Sequence, residues 1–177
     1  SLSEEFEQIS LEPTESFDQC LEDFVYFVRS GDLNELDQFL TQHSGWNIQV
    51  KEEESGNTAL HYAAANGHLE ILGYLVECMK KDQNLNQKQT DTTENEPQTH
   101  FLNIQNQQGN TPLHWACVTG NLEIFKFLIE EGADPFLENC QSKNCIEEAA
   151  SCGHESIVAF ALEKYEQPQQ QKLETEE

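Results

Sequence analysis

The chain of 177 residues carries 33 Asp and Glu against nine Lys and Arg, so its formal net charge is −24, and its mean hydropathy is −0.66. The length suffices for one domain with a hydrophobic core, and the longest apolar run, the six residues from Ile157 to Leu162, is far too short to cross a membrane. Because nucleic acids and anionic membranes attract Lys and Arg rather than carboxylates, the composition excludes direct binding to either.

The acidity predicts a basic protein as the partner, because opposite potentials speed encounter and reject wrong partners. The alternative interpretation is that the charge only keeps the protein soluble. The six cysteines have no C-x-x-C spacing, and the acidic first residues lack the basic-then-apolar order of a secretion signal. We therefore expect reduced thiols in a monomeric protein of the cytoplasm and nucleus.

The first predicted elements are two helices, near Cys20–Ser30 and Leu33–Thr41. They follow an acidic segment over residues 1–16 that we expect to be disordered. Apolar residues recur along both helices at helical spacing, and Gly31 lies between them, where a helix-ending glycine is expected. The pair predicts one helix–turn–helix unit.

The middle of the chain contains two nearly identical segments. GNTALHYAAANGHLEI begins at Gly56 and GNTPLHWACVTGNLEI begins at Gly109. Each joins a threonine that can start a helix, small residues and a glycine that can end the helix. The pattern is close to the T-P-L-H-x-A signature, so the chain is identified as a member of the ankyrin-repeat family. This resemblance implies an all-α solenoid of helix–turn–helix units with hairpin-like loops.

Alignment of the helix-ending glycines predicts four such repeats. These glycines are Gly31, Gly67, Gly120 and Gly153. The intervals between them are 36, 53 and 33 residues, and the ankyrin period is about 33. The predicted ankyrin domain covers residues 17–165, with repeats over about residues 17–50, 51–80, 101–135 and 136–165.

Two insertions explain the longer intervals. Three extra residues fall in the loop that contains Lys51, Glu52, Glu53 and Glu54, so the second repeat is expected to have a longer and more acidic loop, or finger, than its neighbours. Twenty extra residues match residues 81–100, a polar stretch that is unable to bury enough surface to order itself. We predict a mobile excursion there, between repeats two and three.

The outer repeats are expected to act as caps, because nothing stacks on their outer faces. In place of the T-P-L-H core, repeat one has EDFV over residues 22–25 and repeat four has NCIE over residues 144–147. Repeat four also has Ser142 where the inner repeats have a loop glycine. The apolar residues that close the chain end at Tyr165, and residues 166–177 are expected to be disordered.

His61 and His114 are the residues that most invite a catalytic or metal-binding interpretation. In ankyrin repeats the histidine of this motif bonds a threonine hydroxyl and a neighbouring loop backbone, so the resemblance implies a structural role. The three C-terminal cysteines and His154 match no common zinc spacing. The sequence also lacks a phosphate-binding glycine loop and the nucleophile motifs of hydrolases. We predict no metal, no cofactor and no enzymatic activity.

The candidate binding surface is the concave row of first helices with the adjacent finger tips, through which ankyrin solenoids bind partners. One aligned position is aromatic in three repeats and acidic in the fourth: Tyr26, Tyr62, Trp115 and Glu148. Tyr and Trp often dominate binding energy, with about 2 kcal/mol or more lost on truncation. The other predicted contact residues are Glu52, Glu53, Glu54, Asn57, Asn66, Gln107, Gln108, Asn110, Thr119, Gln141 and Lys143. The alternative is that the aromatic residues only cover the surface of the solenoid.

Several stretches resemble one group within the family. TALHYAAANGHLEI, GNTPLHWACVTGNLEI, ADPFLEN and a closing EKY are similar to the fungal ankyrin-repeat chaperone of a small-subunit ribosomal protein, between about Cys20 and Tyr165. The resemblance implies that the partner is the KH-domain protein of the 40S head, bound 1:1 or as a dimer of that protein. It further implies that the chain keeps this basic partner soluble and shields its RNA-binding surface until it joins the pre-40S particle.

Two other functions are compatible with the sequence. The first is an ankyrin-type regulator or inhibitor that masks a basic segment, such as a nuclear localisation signal, of a signalling or transcription protein. The second is a protein whose acidic ends bind the partner while the solenoid acts as a spacer. Identification of the main stoichiometric partner would separate the chaperone from the regulator, and removal of both ends would test the spacer.

Overall fold

The computed structural model describes residues 16–87 and 100–165. Over this part of the chain it contains eight α-helices, one short 3-10 helix and no strand. The α-helices are α1 (Phe17–Ser30), α2 (Leu33–Gln42), α3 (Ala59–Asn66), α4 (Leu69–Gln87), α5 (Pro112–Thr119), α6 (Leu122–Glu130), α7 (Cys145–Ser151) and α8 (Glu155–Tyr165). The 3-10 helix covers His100–Asn103.

The helices form two layers. Helices α1, α3, α5 and α7 lie side by side in one row, and each packs against the helix that follows it in the chain. Stacked helical pairs of this kind form a solenoid in which each repeat contacts its neighbours. The prediction of an all-α ankyrin solenoid is confirmed.

Small side chains allow the first helices of successive repeats to approach closely. The residues buried between them include Ala59, Ala63, Ala64, Ala116, Cys117 and Ala149. Longer apolar side chains from the second helices complete the core, and they include Leu36, Ile71, Leu72, Leu75, Ile124 and Leu128. Leu69 is an exception to the predicted core, because this first residue of α4 keeps 36% of its surface exposed.

The ends of the first helices follow the residue types in the sequence. Thr58 and Thr111 occupy the N-cap positions of α3 and α5, and the second of these helices has Pro112 in its first turn. Gly67 and Gly120 end the same helices with left-handed backbone angles. Proline there gives up an N–H that has no helical partner, and glycine adopts the left-handed conformation without steric cost, so the predicted helix bounds hold.

Helix α1 begins earlier than the sequence predicts. Its first residue is Phe17 rather than Cys20, because the hydroxyl of Ser16 caps the helix by accepting a hydrogen bond from the backbone N–H of Gln19 at 3.2 Å. Phe17 then stacks on Trp46, with ring centroids 5.4 Å apart. This aromatic contact helps to close the outer face of repeat one.

Helix α4 extends further than the sequence predicts. It continues to Gln87, so the first seven residues of the predicted excursion over 81–100 are helical. Extension of an existing helix adds one hydrogen bond per residue, and residues 81–87 contain no glycine or proline that would end it. Residues 88–99 lie outside the described residues. The chain re-enters the core at Phe101 and Leu102, both of which are fully buried.

Candidate partner-binding groove

The fingers between repeats are hairpin-like turns of similar geometry. In each, the backbone N–H of the first residue donates to the backbone carbonyl of the last at 2.9 Å, over Glu52–Asn57, Asn106–Asn110 and Asn139–Lys143. The first finger is therefore one residue longer than the other two. Of the three extra residues in this loop, one lies in the turn itself and two lie before it.

Hydrogen bonds join each finger to the next. The backbone N–H of Gln107 donates to the carbonyl of Ser55 at 3.0 Å, and the side-chain amide of Asn106 donates to that of Asn57 at 2.8 Å. The second and third fingers repeat the side-chain contact, with the amide of Asn139 donating to that of Asn110 at 2.9 Å. These links hold the fingers as one continuous rim along the row of first helices.

The motif histidines support this rim. The backbone N–H of Thr58 donates to Nδ1 of His61 at 3.0 Å, so the ring proton lies on Nε2 and is donated to the carbonyl of Asn110 at 2.9 Å. His114 makes the same contacts one repeat later, to the backbone of Thr111 and Lys143. Burial lowers the pKa of His61 to about 4 and also lowers that of His114. Their neutral, structural role agrees with the prediction.

A second set of histidine contacts was not predicted. His68 contacts the carbonyl of Arg29 through Nε2 at 2.9 Å, and His154 contacts that of Val118 at 3.0 Å. Each ring thus reaches back to the preceding repeat and satisfies a carbonyl near the end of a first helix. The Gly-His dipeptide was the available signal, but the target carbonyl lies 36 or more residues away in the sequence.

The four aligned column positions lie on four adjacent first helices. Tyr26 is 66% exposed, whereas Tyr62, Trp115 and Glu148 are half-buried. The Tyr62 hydroxyl donates to the Glu52 carboxylate at 2.5 Å, and Glu148 accepts from the Asn139 amide at 3.0 Å. The indole N–H of Trp115 is buried and has no hydrogen-bond partner among the described residues. The column therefore offers one fully available aromatic side chain and two partly covered ones.

A groove of about 730 Å³ lies between α1 and the first finger. Its wall on α1 is apolar in part, through Leu21, Val25 and Tyr26. Five carboxylates, one guanidinium and one serine complete its lining: Asp18, Glu22, Glu52, Glu53, Glu54, Arg29 and Ser30. We call this space the acidic groove, and its composition suits a segment that carries both cationic and apolar side chains.

The structure distributes the predicted contact residues between two kinds of position. The side chains of Glu53, Glu54, Gln108 and Gln141 are exposed at finger tips. Others make contacts within the rim or the helix ends; these are Asn57, Asn110, Gln107, Asn66, Thr119 and Lys143. Their polar groups hold the surface in shape, so a partner would meet mainly the exposed acids, amides and aromatic rings.

Several residues of the acidic groove were missed by the sequence analysis. They are Asp18, Leu21, Glu22, Val25 and Arg29, all on α1. The sequence analysis placed only Tyr26 of this helix at the binding surface. Positions three or four apart share one helix face, so the spacing of these residues around Tyr26 was the signal that could have found them.

No group of three or more His, Cys, Asp or Glu within residues 16–87 and 100–165 could hold a metal ion. The thiol of Cys145 donates to the carbonyl of Pro135 at 3.2 Å, and burial raises the pKa of the Cys117 thiol. Helices long and apolar enough to span a bilayer are absent from the same part of the chain.

Comparison with known proteins places this geometry in a family. Models of ankyrin repeats match residues 24–76 (ankyrin repeats, many copies) and residues 94–172 (ankyrin repeats, three copies). The ankyrin repeat-containing protein YAR1 of Saccharomyces cerevisiae is 36% identical over 169 residues, which covers 93% of this chain and 78% of the yeast protein. An ankyrin repeat-containing protein of Schizosaccharomyces pombe is 29% identical and covers 81% and 84%, respectively.

A solved structure shows the same similarity in three dimensions. A chain in the crystal structure of the yeast ribosomal protein Rps3 in complex with its chaperone Yar1 matches with a TM-score of 0.70 and 34% identity. The match covers 84% of this chain and 95% of that chain. The similarity thus extends beyond the repeat motif to most of both proteins.

Proposed function

Because this chain belongs to the ankyrin-repeat family and matches Yar1 along most of both lengths, we propose that it is a chaperone of the ribosomal protein that corresponds to Rps3. Such a chaperone keeps a basic KH-domain protein soluble and covers its RNA-binding surface until it enters the pre-40S particle. The single observation that carries the proposal is the match to a chaperone structure determined with its ribosomal protein bound.

The electrostatics of the protein support this function. A net charge of −24 attracts a basic protein over long range, and five carboxylates are concentrated in the acidic groove. We propose that a cationic segment of the ribosomal protein lies along the groove, with its apolar side chains against α1 and its Lys and Arg toward the first finger. The chain then acts as a protein-binding module and not as an enzyme.

The regulator alternative is less well supported. The match to Yar1 covers 93% of this chain and also 78% of the yeast protein, so the two share their overall layout as well as the repeat motif. We also propose that the chain acts in the cytoplasm and nucleus, a reducing environment in which its six cysteines would stay thiols.

The decisive experiment mixes the purified chain with the corresponding small-subunit ribosomal protein. We expect the chain to prevent aggregation of that protein, measured by light scattering, and to form a complex whose mass by multi-angle light scattering shows 1:1 binding or one bound dimer. Continued aggregation at equimolar concentration, with no complex on the column, would refute the proposed function.

Tyr26→Ala tests the groove within that complex. Tyr26 is exposed, so its loss should leave folding intact and weaken binding by about tenfold, mainly through faster dissociation. Phe136→Ala is the matched control, because Phe136 is 56% exposed and contacts Tyr165 outside the groove. Equal affinities for both variants and the unmodified chain, measured by biolayer interferometry, would exclude the groove as the binding surface.

A further inference from the structure

Arg29 is the only arginine in the chain, and it lies inside the acidic groove. Its guanidinium carbon is 5.6 Å from the centroid of the Tyr62 ring, within the range of a cation–π contact. The hydroxyl of the same ring donates to the carboxylate of Glu52. The face of Tyr62 and the carboxylate of Glu52 together form a seat for a cation, and the chain's own guanidinium lies over the aromatic part of that seat.

Arg29 is held in this seat loosely. It forms no ion pair with any carboxylate of the described residues, and its side chain is exposed. Exposed cation–π contacts are weak, and an arginine side chain has several rotatable bonds that let it swing away. The occupant is therefore exchangeable.

The seat itself is fixed more firmly than its occupant. Glu52 accepts hydrogen bonds from the hydroxyls of Ser55 and Tyr62, both at 2.5 Å, and these bonds lower the pKa of its carboxyl. Gln107 from the next finger also contacts the first finger through the carbonyl of Glu53 at 2.7 Å. The Tyr62 ring thus stays in place when Arg29 leaves, and the Glu52 carboxylate stays both in place and ionised.

We propose that the Tyr62–Glu52 seat binds one guanidinium or ammonium side chain of the partner, and that Arg29 fills it in the free protein until that cation displaces it. The inference rests on the proposed function, because the occupant is a basic side chain of the partner. Without Arg29 the carboxylates lining the acidic groove would repel one another uncompensated. With Arg29 present, a cationic side chain of the partner binds in the seat only if it is positioned well enough to displace Arg29. This competition makes binding more selective among basic segments.

The apolar wall of the groove determines which type of residue suits the position next to that cation in the partner. Leu21 and Val25 line the same groove as Arg29 and Glu52. A partner residue whose charge enters the seat therefore places an adjacent side chain against α1. The structure favours a segment in which a Lys or Arg stands next to an apolar residue over one with an uninterrupted run of cations.

The test uses arginine amide as the probe and follows backbone amide shifts of the isotopically labelled chain by NMR at low salt. We expect millimolar binding with shifts at Glu52, Ser55 and Tyr62, and about fivefold tighter binding for Arg29→Gln, which removes the competing charge. In both this probe and its control the α-amino group is acetylated, so that the side chain is the only place for a charge. Citrulline amide is then the neutral isostere and should cause no shift. Lys164→Gln is the matched control, because it removes one positive charge from α8 outside the acidic groove.

Two further variants distinguish the contribution of the Tyr62 ring to probe binding from that of its hydroxyl. Tyr62→Phe retains the aromatic face and should bind arginine amide nearly as well, whereas Tyr62→Leu should lose most binding. The proposal is overturned if Arg29→Gln binds the probe no more tightly than the unmodified chain, if Lys164→Gln gives the same gain, or if citrulline amide shifts the same residues.

The outcome is independent of the larger proposal. If the seat is absent, arginine amide fails to bind while the ribosomal protein is still held elsewhere along the groove. If the proposed function is wrong, the ribosomal protein fails to bind while the arginine amide titration still shows the seat.

Discussion

The motif histidines show how single residues connect distant parts of this solenoid. Each ring accepts a hydrogen bond from the backbone of its own repeat and donates one to the finger of the next. His61 is only 1% exposed, so a positive charge there would be desolvated. A protonated Nδ1 would also face the backbone N–H of Thr58, a donor that suits only the neutral ring. Neutral imidazole is therefore a condition of the folded state.

The pKa of His61 gives a prediction of pH-dependent stability. Its folded pKa of about 4 lies below the ordinary value of 6.5, so the unfolded chain binds a proton first as the pH falls. The free energy of unfolding should then decrease by about 2 kcal/mol from this residue between pH 7 and pH 5. NMR titration of the imidazole carbons should show no midpoint for His61 above pH 5. A midpoint near 6.5 would contradict the buried neutral ring.

Ser142 carries a cost that the other fingers avoid. It has a left-handed φ of 54°, and it is the one described residue other than glycine with a positive φ. Gly56 and Gly109 hold the equivalent positions. A side chain disfavours this conformation, so Ser142→Gly should stabilise the protein by about 0.5–1 kcal/mol and raise its Tm. Ser44→Gly, at a residue without a left-handed backbone, should not. A lower Tm for Ser142→Gly would disprove the strain.

At the scale of elements, the second and third fingers approach each other closely at Gly109. A β-carbon on Gly109 would lie 2.7 Å from the backbone nitrogen of Cys140 and 2.9 Å from the α-carbon of Asn139. These neighbours are backbone atoms of the next finger, which are themselves hydrogen-bonded, so they are unable to move aside cheaply. The rim of the groove therefore depends on this glycine for space as well as for its φ of 75°.

Comparison of two alanine variants isolates the effect of this close contact on the free energy of unfolding. Gly153 has a similar φ of 79° but no neighbour within 4 Å of the added carbon. Gly153→Ala should lower the free energy of unfolding by about 1 kcal/mol through backbone strain alone. Gly109→Ala should lower it by about 2 kcal/mol or more, since the clash adds to the strain. Urea denaturation measures both, and equal losses would mean that the fingers separate easily.

At the scale of the whole molecule, charge governs how the partner is met. The net charge of −24 acts over long distances in dilute salt, whereas the apolar contacts of the groove act only after docking. Electrostatic attraction mainly accelerates association, and buried contacts mainly slow dissociation. The two steps should therefore respond differently to ionic strength.

Stopped-flow measurements with the ribosomal protein at increasing NaCl concentration test this separation. We expect the association rate constant to fall by about tenfold or more from low to high salt, because ions screen the long-range field. The dissociation rate constant should change much less. An association rate that is insensitive to salt would show that the acidity serves solubility rather than recognition.

The sequence by itself determined the repeated unit. Two copies of one motif specify helix starts at threonine, helix ends at glycine and a neutral histidine between repeats, because these depend on local backbone chemistry and on a known stacking pattern. The composition likewise determined the negative charge of this protein and so predicts a basic partner, because the sum of charges does not depend on the fold.

Only the tertiary structure decided which residues distant in the sequence contact each other. The sequence did not show that Arg29 reaches Tyr62, that His68 and His154 bond the preceding repeat, or that α4 continues to Gln87. The first two depend on how one repeat is rotated against the next, so they join residues more than thirty positions apart. The third could have been predicted from the absence of glycine and proline over residues 81–87, but the polarity of that stretch favoured a mobile excursion instead. The acidic groove also depends on how the repeats stack, because α1 and the first finger become its two walls only then.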